Sequence, residues 1–239
     1  MRGARAALVF LTRLPGGALS AEDFALAPGW FAAVGLALGA VLAGVWFLAA
    51  LVWPSVVVVL LVVALGLLLT GALHEDGLAD TFDGIGAPRP IERALEIMRD
   101  SRIGTFGALA LGLALALRVV ALMALGPLAL IAGQGLSRAA MTLMLRAGPY
   151  LRAVGAGSGM TGRLGAGIWP LAAAALVAGG VSLWGYGWAA LGGLAGLSLA
   201  VLVLRFWALR RLGGITGDIL GAAQVLGDLG FLLGLLAWR

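Results

Sequence analysis

PSVVVVLLVVALGLLLTGALHEDGLADTFDGIGAPRPIERALEIMRDSRIG, residues 54–104, joins two stretches of opposite character. Residues 54–73 are apolar, and a bilayer-spanning helix needs about 20 such residues. Residues 74–104 carry seven of the eleven acidic residues of the chain: Glu75, Asp76, Asp80, Asp83, Glu92, Glu96 and Asp100. They also carry four arginines and the only histidine, His74. The acids therefore gather where a span ends, and carboxylates near lipid are rarely placed there without a partner. Asp76, Asp80 and Asp83 stand at i, i+4 and i+7, one face of a helix. Three carboxylates on one face repel each other, and a divalent cation would turn that repulsion into attraction. Hard oxygen ligands suit magnesium or manganese.

Composition places the chain in the membrane. Of its 239 residues 62% are hydrophobic and 11% charged, against about 25% charged in a soluble domain; the mean hydropathy is +1.07. The expected fold is all-α, a single polytopic helix bundle over residues 1–239 with an acidic site on its cytoplasmic side. There is no cysteine, which excludes disulfides, thiolate metal sites and cysteine nucleophiles. All sixteen basic residues are arginine. The net charge of +5 does not point to nucleic acid, because these arginines are spread along the chain by topology and form no patch. The basic N-terminus MRGARAALVFLTRLPGG lacks an A-x-A-like cleavage site and reads as a retained, interfacial segment.

Apolar stretches at about 28–53, 54–73, 105–127, 128–146, 167–185, 187–206 and 217–237 predict seven spans. With the N-terminus inside, the segments 74–104, 147–166 and 207–216 are cytoplasmic. They carry Arg89, Arg93, Arg99, Arg102, Arg152, Arg163, Arg210 and Arg211, while the three opposite turns carry no charge. That asymmetry follows the positive-inside rule. No internal repeat is evident, and the 39 glycines suit close helix packing in lipid.

Two further polar clusters interrupt the apolar spans. In GGITGDILGAAQVLGD, residues 213–228, Gly217, Gly221, Gln224 and Asp228 share a helical face. In SRAAMTLMLRAGPYLR, residues 137–152, Arg138 falls inside a span and Arg146 near its end. Asp228 and Arg138 lie at similar depths, so a mutual ion pair is expected to make both tolerable in lipid. Arg118 lies deeper, with no partner assignable from sequence. Asp218 follows Thr216-Gly217 as an acid of the first helical turn, where it would either serve the helix end or a site. Two other classes compete with a catalytic reading. A transporter would line a path with Arg118, Arg138 and Asp228, but lacks the inverted repeats such folds use. A CDP-alcohol phosphotransferase is suggested by Asp80-x-x-Asp83-Gly84-x-x-Ala87, an echo that breaks at Pro88, where that family has arginine.

LTGALHEDGLADTFDGIGA followed by ALEIMRDSRIGTFGALAL resembles the signature of the cobalamin synthases, the adenosylcobinamide-GDP ribazoletransferase family. That family has an H-x-D-G-L-A-D-x-x-D-G run and then an I-M-x-D-S-x-I-G-x-F-G run, at this spacing after a hydrophobic span. FLTRLP at 10–15, LSRAAM at 136–141 and GGITGDILGA at 213–222 extend the resemblance in the same order. Glu75 and Phe82 depart from it, standing where smaller or apolar residues are commoner.

The resemblance implies a magnesium-dependent phosphotransfer that joins adenosylcobinamide-GDP and alpha-ribazole, or its 5'-phosphate, and releases GMP. Phosphate transfer needs neutralised phosphate oxygens and a leaving group held in line, work that metals and arginines do. The expected catalytic residues are His74, Asp76, Asp80, Asp83 and Asp100, with Mg2+ on Asp76, Asp80 and Asp83. The expected substrate contacts are Arg99, Ser101, Arg102, Arg138, Thr216, Asp218 and Asp228. Arg99 and Arg102, at i and i+3, would both face the diphosphate if their helix continues through Asp100. The implied setting is a bacterial inner membrane with a cytoplasmic site. The implied partners are corrinoid nucleotide, ribazole and the lipid bilayer, with self-association or contact with other corrinoid-assembly enzymes left open.

Overall fold

The computed structural model describes residues 2–146, 148–151, 158–160 and 167–239. Its elements in order are α1 (Arg2–Leu11), α2 (Ala21–Ala25), a 3-10 turn (Ala27–Trp30), α3 (Phe31–Ala49), α4 (Ser55–Thr70), α5 (Leu73–Ile85) and α6 (Ile91–Ile97). Then come α7 (Thr105–Leu125), α8 (Leu128–Arg146), α9 (Ile168–Tyr186), α10 (Ala189–Leu212) and α11 (Gly217–Ala237). Among the described residues there is no strand, only a parallel bridge of Tyr150 with Ile215 that ties two inter-helix segments together. Arg152 and Arg163 lie outside the described residues.

Among the described residues six helices are long and apolar enough to cross a membrane: 27–49 and α7 to α11. A bent pair of helices, α4 and α5, is the candidate for a seventh. α4 ends at Thr70, α5 begins at Leu73, and the two are bent by 85°. Gly71 at φ 64 and Ala72 at φ 55 make the corner. Gly71 takes the left-handed region freely, whereas an L-residue there costs roughly 1–2 kcal/mol, so the surroundings hold Ala72 in place. The Ala72 amide donates to Leu67 and the Arg13 amide to Leu69, satisfying carbonyls left open at the end of α4. The FLTRLP segment thus fastens the bend. In consequence the acidic run is no surface loop: it forms α5, turned back to pack on α7 and α11.

α8 and α11 are the most enclosed spans and form the middle of the bundle. α10 and α11 meet along a seam of four glycines. Gly192 and Gly196 face Gly230 and Gly234, and a Cβ added to Gly196 or Gly234 would strike the opposing carbonyl oxygen. Small residues at i and i+4 let two backbones approach in lipid, where van der Waals contact replaces the hydrophobic drive. α1 is no free amphipathic segment: Ala6, Ala7 and Leu11 are fully buried as it packs on the 3-10 turn and α3.

Gly196→Leu should force the seam apart and destabilise the bundle by about 1–3 kcal/mol, the usual range for overpacking. Gly112→Leu on α7, where a Cβ meets open space, is the control. Thermal unfolding in detergent would show a lowered midpoint for the first only; equal midpoints would refute the seam.

Candidate functional site

α5 supplies three consecutive residues, His74, Glu75 and Asp76, that together border three cavities. An α-helix turns about 100° per residue, so neighbours in sequence point in different directions. The first cavity, about 30 Å3, lies inside the bundle among His74, Glu75, Arg118, Gln134 and Arg138. The second, about 120 Å3, is mostly apolar and has His74, Asp76 and Asp218 on its walls. The third, about 450 Å3, is bordered by Glu75, Asp76, Asp80, Arg99, Asp100, Ser101 and Arg102. Asp76 is shared by the second and third. Two glycines let α5 lie against α11: a Cβ on Gly77 would come 2.7 Å from the Asp218 carbonyl oxygen, and one on Gly221 would press on His74.

Behind the first cavity lies a buried ion cluster. Arg118 Nη1 donates to Glu75 Oε1 at 2.9 Å, and Nη2 sits 3.3 Å from Asp228 Oδ2. The pairing expected between Arg138 and Asp228 is therefore not made. Arg118, from α7, takes Asp228, while Arg138 donates to Gln134 Oε1 at 2.6 Å. Gln134, at i−4 on the same helix, reaches Arg138 without crossing to α11. Its amide nitrogen lies 3.4 Å from Asp228 Oδ2, joining both halves. Two arginines and two carboxylates balance in charge, a requirement for ions held away from water. Arg138 and Asp228 are thus interior residues and do not border the cavity that holds Arg99 and Arg102.

The aspartates of α5 divide between two tasks. Asp76 is exposed and Asp80 half-buried on the third cavity. Asp83 is buried, and its two oxygens accept the Gly104 amide at 2.7 Å and the Gly107 amide at 2.8 Å. Those amides belong to the start of α7, so Asp83 caps that helix from another element. A carboxylate there answers both the open N–H groups and the positive end of the helix dipole. Among the described residues no three His, Asp or Glu side chains converge on a metal-sized point. Of the three aspartates expected to hold a metal, Asp76 and Asp80 border the third cavity, and Asp83 has both oxygens engaged by the amides of α7.

α6 ends at Ile97, so Arg99 and Arg102 do not continue a helix through Asp100. The Asp100 side chain accepts the Arg102 amide at 3.1 Å, a local bond that competes with helix formation. It also accepts the Arg102 guanidinium, Nε at 3.0 Å and Nη2 at 2.6 Å. These bonds hold the Asp100 carboxyl at about 2, below its usual range. Because the folded value is depressed, the pairing is present above the ordinary carboxylate range and is lost only as pH falls through about 2. Thr216 caps α11, its hydroxyl accepting the Ile219 amide at 3.3 Å. Sequence reasoning missed Glu75 and Gln134 as partners of the buried arginines. The signal for Gln134 was a lone amide four residues before Arg138 in an apolar span.

Arg118→Leu would leave Glu75 and Asp228 buried without their shared cation. The expected loss of stability is roughly 3–5 kcal/mol, read as a large drop in the thermal midpoint in detergent; an unchanged midpoint would show the pairing to be unimportant.

The cobalamin-5-phosphate synthase family matches residues 3–236. The adenosylcobinamide-GDP ribazoletransferase of Azorhizobium caulinodans is 44% identical over 98% of this chain and 94% of its own. That of Vibrio cholerae is 42% identical over 92% and 86%, and that of Desulfitobacterium hafniense 35% over 98% and 96%. No solved structure matches significantly. The chain belongs to the cobalamin-5-phosphate synthase family, and is a membrane-embedded transferase.

Proposed function

We propose that this transferase joins a ribazole, free or as its 5'-phosphate, to adenosylcobinamide-GDP, releasing GMP, with its site facing the cytoplasm. The observation that carries the reading is Asp76, the carboxylate common to a large charged cavity and a small apolar one. A transfer between a diphosphate and a nucleoside needs that arrangement, with the reacting phosphorus at the boundary. In this reading the diphosphate occupies the larger cavity, where Arg99 and Arg102 supply positive charge and Ser101 a hydroxyl donor. Arg102, tethered to Asp100, is oriented in advance, and a planar guanidinium suits phosphate oxygens.

Residues for a metal are present. Asp76 and Asp80, one helical turn apart on the same cavity, offer the hard oxygens that Mg2+ prefers. Mg2+ is usually held by one or two carboxylates together with substrate phosphates and water, not by a complete protein cage. When bound there it would neutralise phosphate charge and stabilise the departing GMP. The acceptor hydroxyl forms its bond to the phosphorus that carries the corrinoid, and the anhydride bond to GMP breaks with its electron pair leaving on GMP. Asp218, on the wall of the smaller cavity, is placed to take the hydroxyl proton. A transport path finds less support, because Arg118, Glu75 and Asp228 close on one another.

Asp76→Asn and Asp80→Asn should each lower GMP release at least 100-fold while leaving the thermal midpoint within a degree or two. Chelation of divalent metal should silence the wild type; full turnover in chelator would remove the metal from the reading. An accessibility probe on Ala87→Cys should label only from the inner face of oriented vesicles. Labelling from outside would invert the topology.

A further inference from the structure

The second cavity, about 120 Å3 in volume, has a composition that the phosphate chemistry does not require. Phe10 and Phe31 meet at its side with ring centroids 5.5 Å apart and planes within 8°. Met141 and Tyr150 complete a wall of aromatic and sulfur-bearing surface, the kind that holds flat rings. His74 borders the same space. It is 2% exposed, and its Nε2 has no hydrogen-bond partner.

We propose that this chamber is the base subsite of the acceptor, seating the aromatic base of the ribazole against Phe10, Phe31, Met141 and Tyr150. The assignment rests on the proposed reaction and adds where its acceptor binds and what selects it. Size excludes a corrin: the chamber, about 120 Å3, is below the roughly 150 Å3 that holds one benzene, so it takes one ring of a fused base, the rest lying at its mouth. Polarity separates the two bases of the reaction. A ribazole is the riboside of a benzimidazole, flat, apolar and with one ring nitrogen left to accept a bond. Guanine carries several donors and acceptors along its edges, which an apolar wall would leave unsatisfied. Asp76 and Asp218, also on the chamber, then lie on the side where the ribose hydroxyls emerge, next to the cavity assigned to the diphosphate. The chamber thereby sets which lower bases are accepted.

The test is binding, measured by calorimetry on purified protein in nanodiscs, with free alpha-ribazole and GDP as separate probes. Met141→Phe fills the chamber and should weaken alpha-ribazole at least tenfold while GDP stays within twofold. Tyr150→Ala opens it. The ratio of affinities for a naphtho-fused and a benzimidazole riboside should then shift at least fivefold toward the larger, a change that mere loosening of the fold would not give. Two results overturn the proposal: undiminished alpha-ribazole binding in well-folded Met141→Phe, or weakening of GDP in place of alpha-ribazole, which would put guanine in the chamber. If Met141→Phe does not fold, the Tyr150→Ala ratio decides alone. Failure of the proposed reaction would appear separately, as wild-type protein that binds alpha-ribazole yet releases no GMP from the GDP-linked donor.

Discussion

Arg118 inside the bundle is the constraint on which the rest depends. A guanidinium in the hydrocarbon region is tolerated only when its charge is answered nearby, and the two answering carboxylates come from different helices, Glu75 on α5 and Asp228 on α11. α5 therefore cannot remain a surface segment. It is drawn between α7 and α11, and the break after α4 exists so that the chain can make that turn. Once α5 is inside, Asp76 and Asp80 follow it to the bundle's polar end. Ion clusters of this kind contribute little net stability compared with apolar packing; the fixed position of α5 is what this one secures.

The proposed chemistry gains from the same placement. Carboxylates that face a phosphate are useful only if held within a fraction of an ångström, and loops seldom hold them so. Here two aspartates stand on a helix whose rear is locked by Arg118. The opposing wall, residues 99–102, is irregular, yet the Asp100–Arg102 bonds give it definition. The start of α7 is secured in turn by Asp83, so a residue of the acidic run determines where the following span begins.

Much of this was legible in the sequence. Span count and the acidic helix followed from apolar lengths and from i, i+4 spacing, and the wall at residues 99–102 followed from the resemblance to the family's signature. The misreadings have a common physical origin. Spacing shows that Asp76, Asp80 and Asp83 share a helical face, but not that α7 offers its amides to the last of them. Depth along a span suggested Arg138 for Asp228, yet Arg118 is the nearer partner in three dimensions, and Gln134 satisfies Arg138 on its own helix. The i, i+3 spacing of Arg99 and Arg102 presumed a helix that the Asp100 side chain interrupts. The apolar chamber could not be read at all. Its walls come from α1, α3, α8 and the segment at Tyr150, and no local pattern announces that such distant residues meet.

The contiguity of His74, Glu75 and Asp76 makes the angular setting of α5 the one degree of freedom shared by all three compartments. Rotation by a single residue, about 100°, would bring His74 toward the position of Glu75 and Glu75 toward that of Asp76. The buried arginine would then face an imidazole, and the boundary between the two larger cavities would carry a longer side chain. Such a helix cannot be retuned one compartment at a time. The Gly71–Ala72 corner behaves as an indexing stop, and an insertion or deletion there would disturb charge balance together with the proposed acceptor seating and phosphate handling, although none of the three is located at the corner itself.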